Sequence, residues 1–549
     1  MTLPLNTRIQ TVAVIGAGTM GIGIAQVAAT AGLTVLLFDV NQQVLTQSIS
    51  AMTQRLRKRV TQGKAEAKAT ESIIENITVV QNLSQLANAQ LVIEAIAEKL
   101  EIKQAIFNDL EAICSEKTIF ASNTSSLSIT AIASQLKHPE RLAGLHFFNP
   151  APVMKLVEVV RGLETSDHVI SQLKILTQSF GKVPVICRST PGFIVNRVAR
   201  PFYAETLRAL EEQIGSPATL DCAIRDAGGF AMGPLQLTDL IGHDINYAVT
   251  ESVFKAFGYD PRFQTSLMQL ELVQAGHFGR KSKQGFYHYD DNKPQPKPLF
   301  AAKALLDQPQ QVKICGNWQI FPEFVQLLSE SGISLEGSTQ QQEQSPTLIV
   351  NDVIIMLTNG ESTSSHAQKL GQAVVQFDLS ANYLAATAVT LSCAAQNNVQ
   401  QNQQAIAFFQ SLGKNVIVLP DYPALLAMRT VAMLCNEALD VVNKGIATTL
   451  DTDNAMRFGV NYPKGPLAWG AQLGWQRVLT VLEHLTQFYG DSRYRPNPLL
   501  RQLAVGHQSL SFKELLWFPY QMLPLLNNQP TWCTKMTHAQ KLWACLLKK

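Results

Sequence analysis

The stretch Thr11-Val-Ala-Val-Ile-Gly16-Ala-Gly-Thr-Met-Gly21 decides the fold of the first part of this chain. Its first five residues form a short apolar run rich in β-branched side chains, which is typical of a buried parallel strand. Residues 22–30 have helical character, and Gly32 is suited to end that helix. Residues 34–38 predict a second strand. The pattern therefore indicates a strand, a glycine-rich turn, a helix and a strand, in that order.

Each glycine of this turn has a separate physical role. Gly16 permits the tight turn, Gly18 lets the backbone approach a pyrophosphate, and Gly21 allows the helix to pack closely on the strand. The helix N-terminus then faces the phosphates with unpaired N–H groups. Asp39 can accept hydrogen bonds from both ribose hydroxyls and would repel a 2′-phosphate, which favours NAD over NADP. We predict that the cofactor contacts Gly16, Gly18, Thr19, Met20, Gly21 and Asp39.

The strand–helix alternation continues beyond this turn and predicts an α/β domain with a doubly wound parallel sheet. Further strands are expected at residues 91–93, 118–121, 142–148 and 156–160, and a helix at residues 98–113. Ligands of such folds bind at the carboxyl ends of the strands. The polar residues at or near these predicted ends include Glu94, the segment Ser122-Asn-Thr-Ser-Ser126, His146 and Glu158.

One histidine stands out as a candidate general base. His146 lies among apolar neighbours in Leu145-His-Phe-Phe-Asn-Pro150. Its ordinary pKa is close to neutrality, as proton removal from an alcohol requires. A histidine in such surroundings is more often a satisfied core residue, but Glu158 lies within the apolar run 156–160 and needs a partner. If the two strands are neighbours, a His146–Glu158 pair satisfies the acid and orients the base.

Composition limits the other classes of function. The formal net charge of the 549 residues is only +3, so no nucleic-acid partner is expected. The eight cysteines are far apart and form no CxxC pair, which argues against a zinc site and fits a reducing cytoplasm. The apolar run at residues 11–38 is better explained by the dinucleotide turn than by a membrane segment or a signal peptide. We therefore expect no metal and no membrane partner.

Four motifs resemble those of the L-3-hydroxyacyl-CoA dehydrogenases, over residues 8 to about 290. The resemblance extends to about residue 505 for the subgroup that acts on 3-hydroxyadipyl-CoA in phenylacetate catabolism. It implies NAD-dependent oxidation of an acyl-CoA substrate by a homodimer, with no metal. The motifs are Gly16-Ala-Gly-Thr-Met-Gly21, Ser122-Asn-Thr-Ser-Ser126, Leu145-His-Phe-Phe-Asn-Pro150 and Pro191-Gly-Phe-Ile-Val-Asn-Arg197.

The resemblance also implies roles for individual residues. His146 matches the general base, Glu158 its paired acid, Ser125 the residue that binds the reacting oxygen and the nicotinamide, and Asn196 a residue near the substrate oxygens. As bare residues, Glu98 and Lys103 are typical of an ordinary solvated helix face. Further cofactor contacts are implied at Glu98, Lys103, Asn123, Ser125 and Asn149, the last supporting the base, and CoA contacts at Arg55, Arg57 and Lys58 in the basic helix 55–64.

The acyl group is less well determined by the sequence. A distal carboxylate would need a cation or several N–H donors, and Arg197, Arg200 and Lys155 are candidates, each equally well interpreted as part of a structural ion pair. A 3-hydroxybutyryl group is therefore the alternative. A catalytically silent dinucleotide-binding protein is a further alternative, against which the complete set of Ser125, His146, Glu158 and Asn196 argues.

The second half repeats part of the first. Residues 191–242 and 423–474 align without a gap at an offset of 232, so the helical domain is present twice. Met428 falls opposite Asn196, and residues 346–420 resemble a shrunken α/β layer without the dinucleotide turn. The predicted domains are an NAD-binding domain (1–188), a helical domain (189–290), a linker with a degenerate Rossmann-like segment (291–420), a second helical domain (421–506) and a tail of unknown role (507–549).

Overall fold

The computed structural model describes residues 9–290, 294–306, 309, 311–340 and 345–506 of the chain. The chain divides into two compact units, residues 1–501 and 502–549, and the sites described below lie in the first. The tail predicted at residues 507–549 lies outside the described residues, as does part of the predicted linker. No helix of the described residues is long and apolar enough to cross a membrane.

An eight-stranded sheet forms the first layer, in the order β3-β2-β1-β4-β5-β6-β7-β8. Its strands are β1 (Thr11–Ile15), β2 (Thr34–Phe38), β3 (Ile77–Val79), β4 (Leu91–Glu94), β5 (Ile119–Ser122), β6 (Leu142–Phe147), β7 (Leu156–Arg161) and β8 (Val183–Arg188). The helices between them are α1 (Thr19–Thr30), α2 (Gln42–Thr61), α3 (Ala67–Glu75), α4 (Leu100–Ile113), α5 (Ile129–Ala133) and α6 (Asp167–Ser179). The predicted fold class is confirmed.

The direction of β7 corrects the prediction of a wholly parallel sheet. β1 to β6 pair in parallel, but β7 runs antiparallel to β6 and parallel to β8. Only residues 148–155 connect β6 to β7. A parallel connection needs a crossover of a dozen or more residues, so the chain must reverse here. This reversal places His146 directly opposite Glu158 in the register.

A set of helices follows the first sheet: α7 (Val195–Val198), α8 (Arg200–Glu211), α9 (Pro217–Cys222), α10 (Pro234–Ile241), α11 (His243–Ala256) and α12 (Leu267–Gln274). The second set has the same order after the second sheet: α16 (Ala427–Asn443), α17 (Thr449–Gly459), α18 (Pro466–Leu473), α19 (Trp475–Tyr489) and α20 (Pro498–Gly506). The two sets share capping contacts, because Asp221 accepts the Leu235 N–H and Asp453 accepts the Leu467 N–H, each at 2.8 Å.

The second sheet has seven strands in the order β10-β9-β11-β12-β13-β14-β15. Its strands are β9 (Gln311–Cys315), β10 (Ser334–Gly337), β11 (Thr347–Val350), β12 (Val353–Leu357), β13 (Ala373–Phe377), β14 (Ala388–Cys393) and β15 (Asn415–Leu419), with helices α13 (Pro322–Glu330), α14 (Thr363–Leu370) and α15 (Val399–Ser411). The apolar run 347–357 contains two strands because the chain turns at Asn351, whose φ of 54° breaks it.

Two reciprocal buried ion pairs join the helical sets. Arg197 Nε lies 2.5 Å from Glu437 Oε1, and Arg429 Nε lies 2.5 Å from Glu205 Oε2. Both arginines are fully buried. At the offset of 232, Arg197 corresponds to Arg429 and Glu205 to Glu437, so the two ion pairs are equivalent. Helices α8 and α16 therefore pack on each other through an internal twofold relation within one chain.

Candidate active site

His146 and Glu158 form a buried pair across the β6–β7 register. The His146 Nδ1 lies 2.7 Å from Glu158 Oε2. The exposed fraction is 6% for His146 and zero for Glu158. A carboxylate at this nitrogen favours the tautomer in which Nδ1–H donates to Glu158, because a carboxylate group only accepts hydrogen bonds. The other ring nitrogen, Nε2, is then the proton acceptor.

Glu158 also positions the segment that carries Asn196. Its second oxygen, Oε1, accepts hydrogen bonds from the backbone N–H groups of Ile194 and Val195, each at 3.0 Å. Asn196 is the next residue, and its side chain is partly exposed. One carboxylate therefore orients the ring of His146 and fixes the start of α7. Sequence reasoning predicted the first contact and missed the second, which depends on the fold.

The ring of His146 is held between aromatic neighbours. Its centroid lies 4.5 Å from that of Phe148 and 5.8 Å from that of Phe193. Phe193 has a φ of 48° and follows Gly192, whose φ is 74°. This tight turn brings the start of α7 next to Glu158 on β7. In such a packed site, a base that keeps one fixed orientation needs little reorganisation during proton transfer.

Ser125 lies on the loop after β5, and Glu98 organises that loop. Glu98 Oε1 accepts hydrogen bonds from Thr124 Oγ1 at 2.6 Å and from the N–H groups of Ser125 and Ser126 at 2.9 and 3.1 Å. Burial raises the pKa of Glu98, but these hydrogen bonds and Lys103 outweigh burial and lower it. Asn123 Oδ1 accepts the Phe147 N–H at 2.8 Å, which ties the loop to β6.

The interpretation of Lys103 as part of a solvated helix face is wrong. Its exposed fraction is 1%, and its Nζ lies 2.6 Å from Glu94 Oε1 and 3.2 Å from Glu98 Oε2. Glu94, fully buried at the end of β4, also accepts a hydrogen bond from Ser122 Oγ at 2.6 Å. The position of Glu94 at the end of a predicted strand was the sequence signal that could have indicated its ion pair with Lys103. Lys103 therefore forms an ion pair with Glu98 and helps to hold its carboxylate in place.

The glycine-rich turn fits a bound pyrophosphate. Gly16 has a φ of 99°, and a Cβ on Gly21 would lie 1.7 Å from the Gly16 carbonyl oxygen. In contrast, a Cβ on Gly18 would meet nothing within 4 Å, so the space beside it is open. No side chain caps the first turn of α1, which leaves its N–H groups for a ligand. Thr19 and Met20 are the first two residues of that turn.

Asp39 lies at the end of β2, beside the turn. Its Oδ2 accepts the Ala17 N–H at 2.7 Å and its Oδ1 accepts the Asn41 N–H at 2.8 Å. Each carboxylate oxygen retains a second lone pair, so Asp39 can still accept from ribose hydroxyls. These backbone contacts fix the carboxylate beside the turn that would hold the adenosine phosphates.

The remaining predicted site residues lie on exposed surfaces. Asn149 is exposed after β6 and makes no hydrogen bond to His146. On α2, Arg57 makes two hydrogen bonds of 2.9 Å to Glu71, whereas Arg55 donates to the neutral Gln26 Oε1 at 2.8 Å. Lys58, on the same helix, is exposed and has no ion-pair partner among the described residues.

The three candidate cations for a distal carboxylate differ in their surroundings. Arg197 is engaged by Glu437 and Asp440, as the structural interpretation predicts. Lys155 is exposed at the start of β7. Arg200 is 4% exposed, and among the described residues its guanidinium donates one hydrogen bond, from Nη1 to Thr250 Oγ1, at 2.8 Å. No acid lies within ion-pair distance of it among those residues.

The equivalent site in the second half has a different chemistry. By strand register, Asp378 and Thr390 stand where His146 and Glu158 stand in the first sheet. The Asp378 carboxylate accepts the N–H groups of Leu426, Ala427 and Met428 at the start of α16. Burial raises the pKa of Asp378 to about 6. This site contains no imidazole, so it cannot perform the same proton transfer.

The first turn of α14, in the second sheet, is capped by a side chain of the chain itself. Asp421 accepts the N–H groups of Thr363 and Ser364 at 2.7 and 2.9 Å, at the first turn of α14. α14 lies between β12 and β13, as α5 lies between β5 and β6, so it corresponds to α5 and not to the helix of the glycine-rich turn. The missing imidazole at the position of His146 favours the first half as the location of the proton transfer.

Comparisons with known protein families agree with this geometry. The family model described as 3-hydroxyacyl-CoA dehydrogenase, NAD binding domain, matches residues 11–190. The model of the C-terminal domain of the same family matches twice, at residues 192–289 and 426–509. The segment 355–423 matches a 3-hydroxybutyryl-CoA dehydrogenase reduced Rossmann-fold domain.

Individual relatives match over different lengths. The 3-hydroxyadipyl-CoA dehydrogenase of Escherichia coli K12 is 48% identical over 91% of this chain and 99% of its own length. The probable 3-hydroxybutyryl-CoA dehydrogenase of Bacillus subtilis is 39% identical over 52% of this chain and 99% of its own. A crystal structure titled 3-hydroxybutyryl-CoA dehydrogenase from E. coli K12 has 48% identity and a TM-score of 0.82, over 91% of this chain and all of that chain.

Proposed function

Because the chain belongs to the 3-hydroxyacyl-CoA dehydrogenase family, whose members are NAD-dependent oxidoreductases, we propose that it oxidises 3-hydroxyadipyl-CoA with His146 as the base. The product is 3-oxoadipyl-CoA, and the step belongs to phenylacetate degradation. The observation that carries the catalytic assignment is the 2.7 Å contact between His146 and a Glu158 that is itself fixed by two backbone N–H groups.

The proton and the hydride leave the substrate separately. His146 Nε2 takes the proton of the 3-hydroxyl, and the C–O bond becomes a carbonyl as C3 loses its hydride. NAD supplies the hydride acceptor when it is bound. The imidazolium that forms keeps its Nδ1–H on Glu158, and the negative charge of Glu158 stabilises it. A base so positioned contributes about 10² to 10⁴ in rate.

Two polar side chains complete the proposed site. Ser125 lies at the carboxyl end of β5 and Asn196 at the start of α7. Ser125 donates to the reacting oxygen and contacts the nicotinamide, and Asn196 contacts the substrate oxygens. Support comes from the contacts that position them: Glu98 holds the backbone of Ser125, and Glu158 holds the residues immediately before Asn196.

The proposed cofactor and CoA contacts follow the surfaces already described. NAD contacts the turn residues Gly16, Gly18, Thr19, Met20 and Gly21, with Asp39 on the ribose and Glu98, Asn123 and Asn149 nearer the nicotinamide. The CoA phosphates contact α2. Lys58 has no acidic partner among the described residues, which favours it over Arg57 for this role.

The proposal also specifies which acyl group the substrate carries. The E. coli relative that spans most of this chain is named for the adipyl substrate, whereas the solved E. coli structure is titled for the butyryl substrate. A 3-hydroxybutyryl group is therefore the second candidate. We also propose a cytoplasmic homodimer, and the six described cysteines are all free, which is compatible with a reducing compartment.

A comparison of kcat/KM tests the acyl proposal. NADH formation is followed with L-3-hydroxyadipyl-CoA and with L-3-hydroxybutyryl-CoA. We expect a preference for the adipyl substrate of more than about tenfold, equivalent to about 1.4 kcal/mol of transition-state binding. Equal rates, or a preference for butyryl, would remove the adipyl assignment and leave the dehydrogenase.

A further inference from the structure

A small cavity in the first compact unit is lined by three arginines, two of which have no carboxylate within ion-pair distance among the described residues. Its volume is about 30 Å³, and Arg200, Arg208 and Arg493 line it together with polar side chains such as Thr250, Ser266 and Gln269. Arg200 is 4% exposed and Arg493 is 6% exposed. The Nε–H of each is buried and donates to no acceptor in the described part of the chain. Neither guanidinium has a carboxylate within 4.0 Å among those residues.

The acids near the cavity are already engaged. Glu211, the acidic residue of the lining, is an exposed residue whose Oε1 accepts from Ser266 Oγ at 2.6 Å. Asp491 binds Arg208, at 2.6 Å from its Nη2. Burial lowers the pKa of Arg200, offset in part by Tyr203 and Tyr462 rather than by a carboxylate. The guanidinium of Arg200 therefore has no acid beside it, and that of Arg493 shares the charge of Asp491 with Arg208. Buried charge of this kind is costly without a counter-ion.

The internal twofold relation provides a comparison within the same molecule. Residues 257–266 and 488–497 align at an offset of 231, so Arg493 corresponds to Arg262. Arg262 Nη1 lies 3.0 Å from Glu437 Oε2 and 3.8 Å from Asp440 Oδ2. At the offset of 232, Asp440 corresponds to Arg208. Near Arg493, an arginine therefore stands at the position where Arg262 has its second acid.

The equivalent of Glu437 does not compensate for this change. Glu205 Oε2 accepts from Arg429 and from the hydroxyl of Tyr494, which stands where the first copy has Phe263. The other oxygen of Glu205 has no hydrogen-bond partner in the described part of the chain, yet Arg493 does not reach it. The cavity is therefore cationic because Arg208 stands at the position that Asp440 occupies in the other copy, where the equivalent arginine, Arg262, is neutralised.

We propose that this cavity is a binding site for a small oxyanion such as phosphate. Arginine side chains match oxyanions because their planar N–H groups donate in pairs. A cavity of about 30 Å³ has room for about two waters or one such ion. Its lining includes none of Ser125, His146 or Asn196, which favours a free ion over the distal carboxylate of the acyl chain.

Thermal unfolding of the full-length protein tests the site. Inorganic phosphate is titrated against sodium chloride of equal ionic strength, with NADH saturating so that the dinucleotide site is filled. We expect phosphate to raise the unfolding midpoint of the wild type by about 2 °C or more. Arg493→Gln and Arg200→Gln should lose this rise, and Arg501→Gln, which removes an exposed cation paired with Glu483, should retain it.

The decisive variant places a carboxylate of the chain itself in the cavity. Ala204 lines the cavity, so Ala204→Glu should raise the midpoint without phosphate and abolish the response to phosphate. Equal responses of the wild type, Arg493→Gln and Ala204→Glu would overturn the proposal. An equal effect of chloride would contradict the oxyanion assignment.

A kinetic measurement identifies the source of the oxyanion. If the ion is free, Arg200→Gln and Arg493→Gln leave the ratio of kcat/KM for adipyl and butyryl substrates unchanged. If the distal carboxylate of the substrate occupies the cavity, both variants lower that ratio at least about tenfold, and phosphate competes with the adipyl substrate alone. The second result keeps the oxyanion site and replaces the free ion by the substrate.

Discussion

At the scale of single residues, the Lys103–Glu94 pair is the strongest test of the support beneath the site. Both side chains are at most 1% exposed. Lys103→Met leaves the buried Glu94 carboxylate unpaired, so we expect a loss of about 3 to 5 kcal/mol in the free energy of unfolding. Urea unfolding measures it.

A matched surface pair and a double variant control this prediction. Arg57→Met breaks the pair with Glu71, whose two side chains are about half exposed, and should change the free energy of unfolding much less than Lys103→Met. Glu94→Gln combined with Lys103→Met should recover part of the loss, because no charge is left buried. A loss from Lys103→Met no larger than that from Arg57→Met would contradict the account.

The lowered pKa of Glu98 predicts how the stability of the protein changes with pH. Its pKa is lowered in the folded state, so it stabilises the protein above its ordinary pKa, and this contribution disappears as the pH falls through the lowered value. Glu98→Gln should therefore be less stable than the wild type at pH 7, by about 1 kcal/mol after allowance for partial exposure. The difference should shrink below about pH 4.5, the ordinary range of a glutamate. Unfolding curves at several pH values check this, and a difference that grows in acid would contradict it.

At the scale of elements, the glycine-rich turn separates stability from cofactor binding. A Cβ at Gly18 meets nothing within 4 Å, whereas a Cβ at Gly21 meets the Gly16 carbonyl. Gly18→Ala should keep the unfolding midpoint and raise the KM for NAD by at least about tenfold, since the methyl group fills the space of the pyrophosphate. Gly21→Ala should lower the midpoint. A Gly18→Ala enzyme with an unchanged KM would show that this turn does not hold the cofactor.

The elements also show how far the sequence could predict the fold. The strand, turn and helix at residues 11–30 are local patterns, and the prediction was accurate there. The reversal at β7 depends on the length of the loop 148–155, which the alternation of apolar runs does not encode. The burial of Lys103 depends on Glu94 and on the packing of α4 against β4 and β5, so its charge and spacing on the helix were misleading. The second contact of Glu158 requires the start of α7 to lie beside its side chain, which is a property of the tertiary structure.

At the scale of the whole molecule, the second helical set covers part of the first sheet. α17 packs against β7 and β8, and a Cβ on Gly459 would lie 2.6 Å from Leu156. A fragment ending at residue 290 loses this cover and also Glu437, the partner of Arg197. We expect the fragment to dimerise through α8, with Glu205 of each copy replacing Glu437 for the Arg197 of the other. Light scattering measures its mass.

Two outcomes decide the role of the second helical set. Glu205→Gln in the fragment should weaken its dimer or make it aggregate, because a buried arginine loses its partner. A soluble, monomeric and fully active fragment would show instead that residues 291–549 are dispensable for folding and catalysis.

The central claim is that His146 is the base of an NAD-dependent 3-hydroxyacyl-CoA oxidation. Its most direct test is the turnover of His146→Ala, with His168→Ala on the exposed face of α6 as control. We predict that kcat falls about 10² to 10⁴-fold while NADH still binds with its wild-type affinity, and that the control is unaffected. Wild-type turnover by His146→Ala would contradict the account.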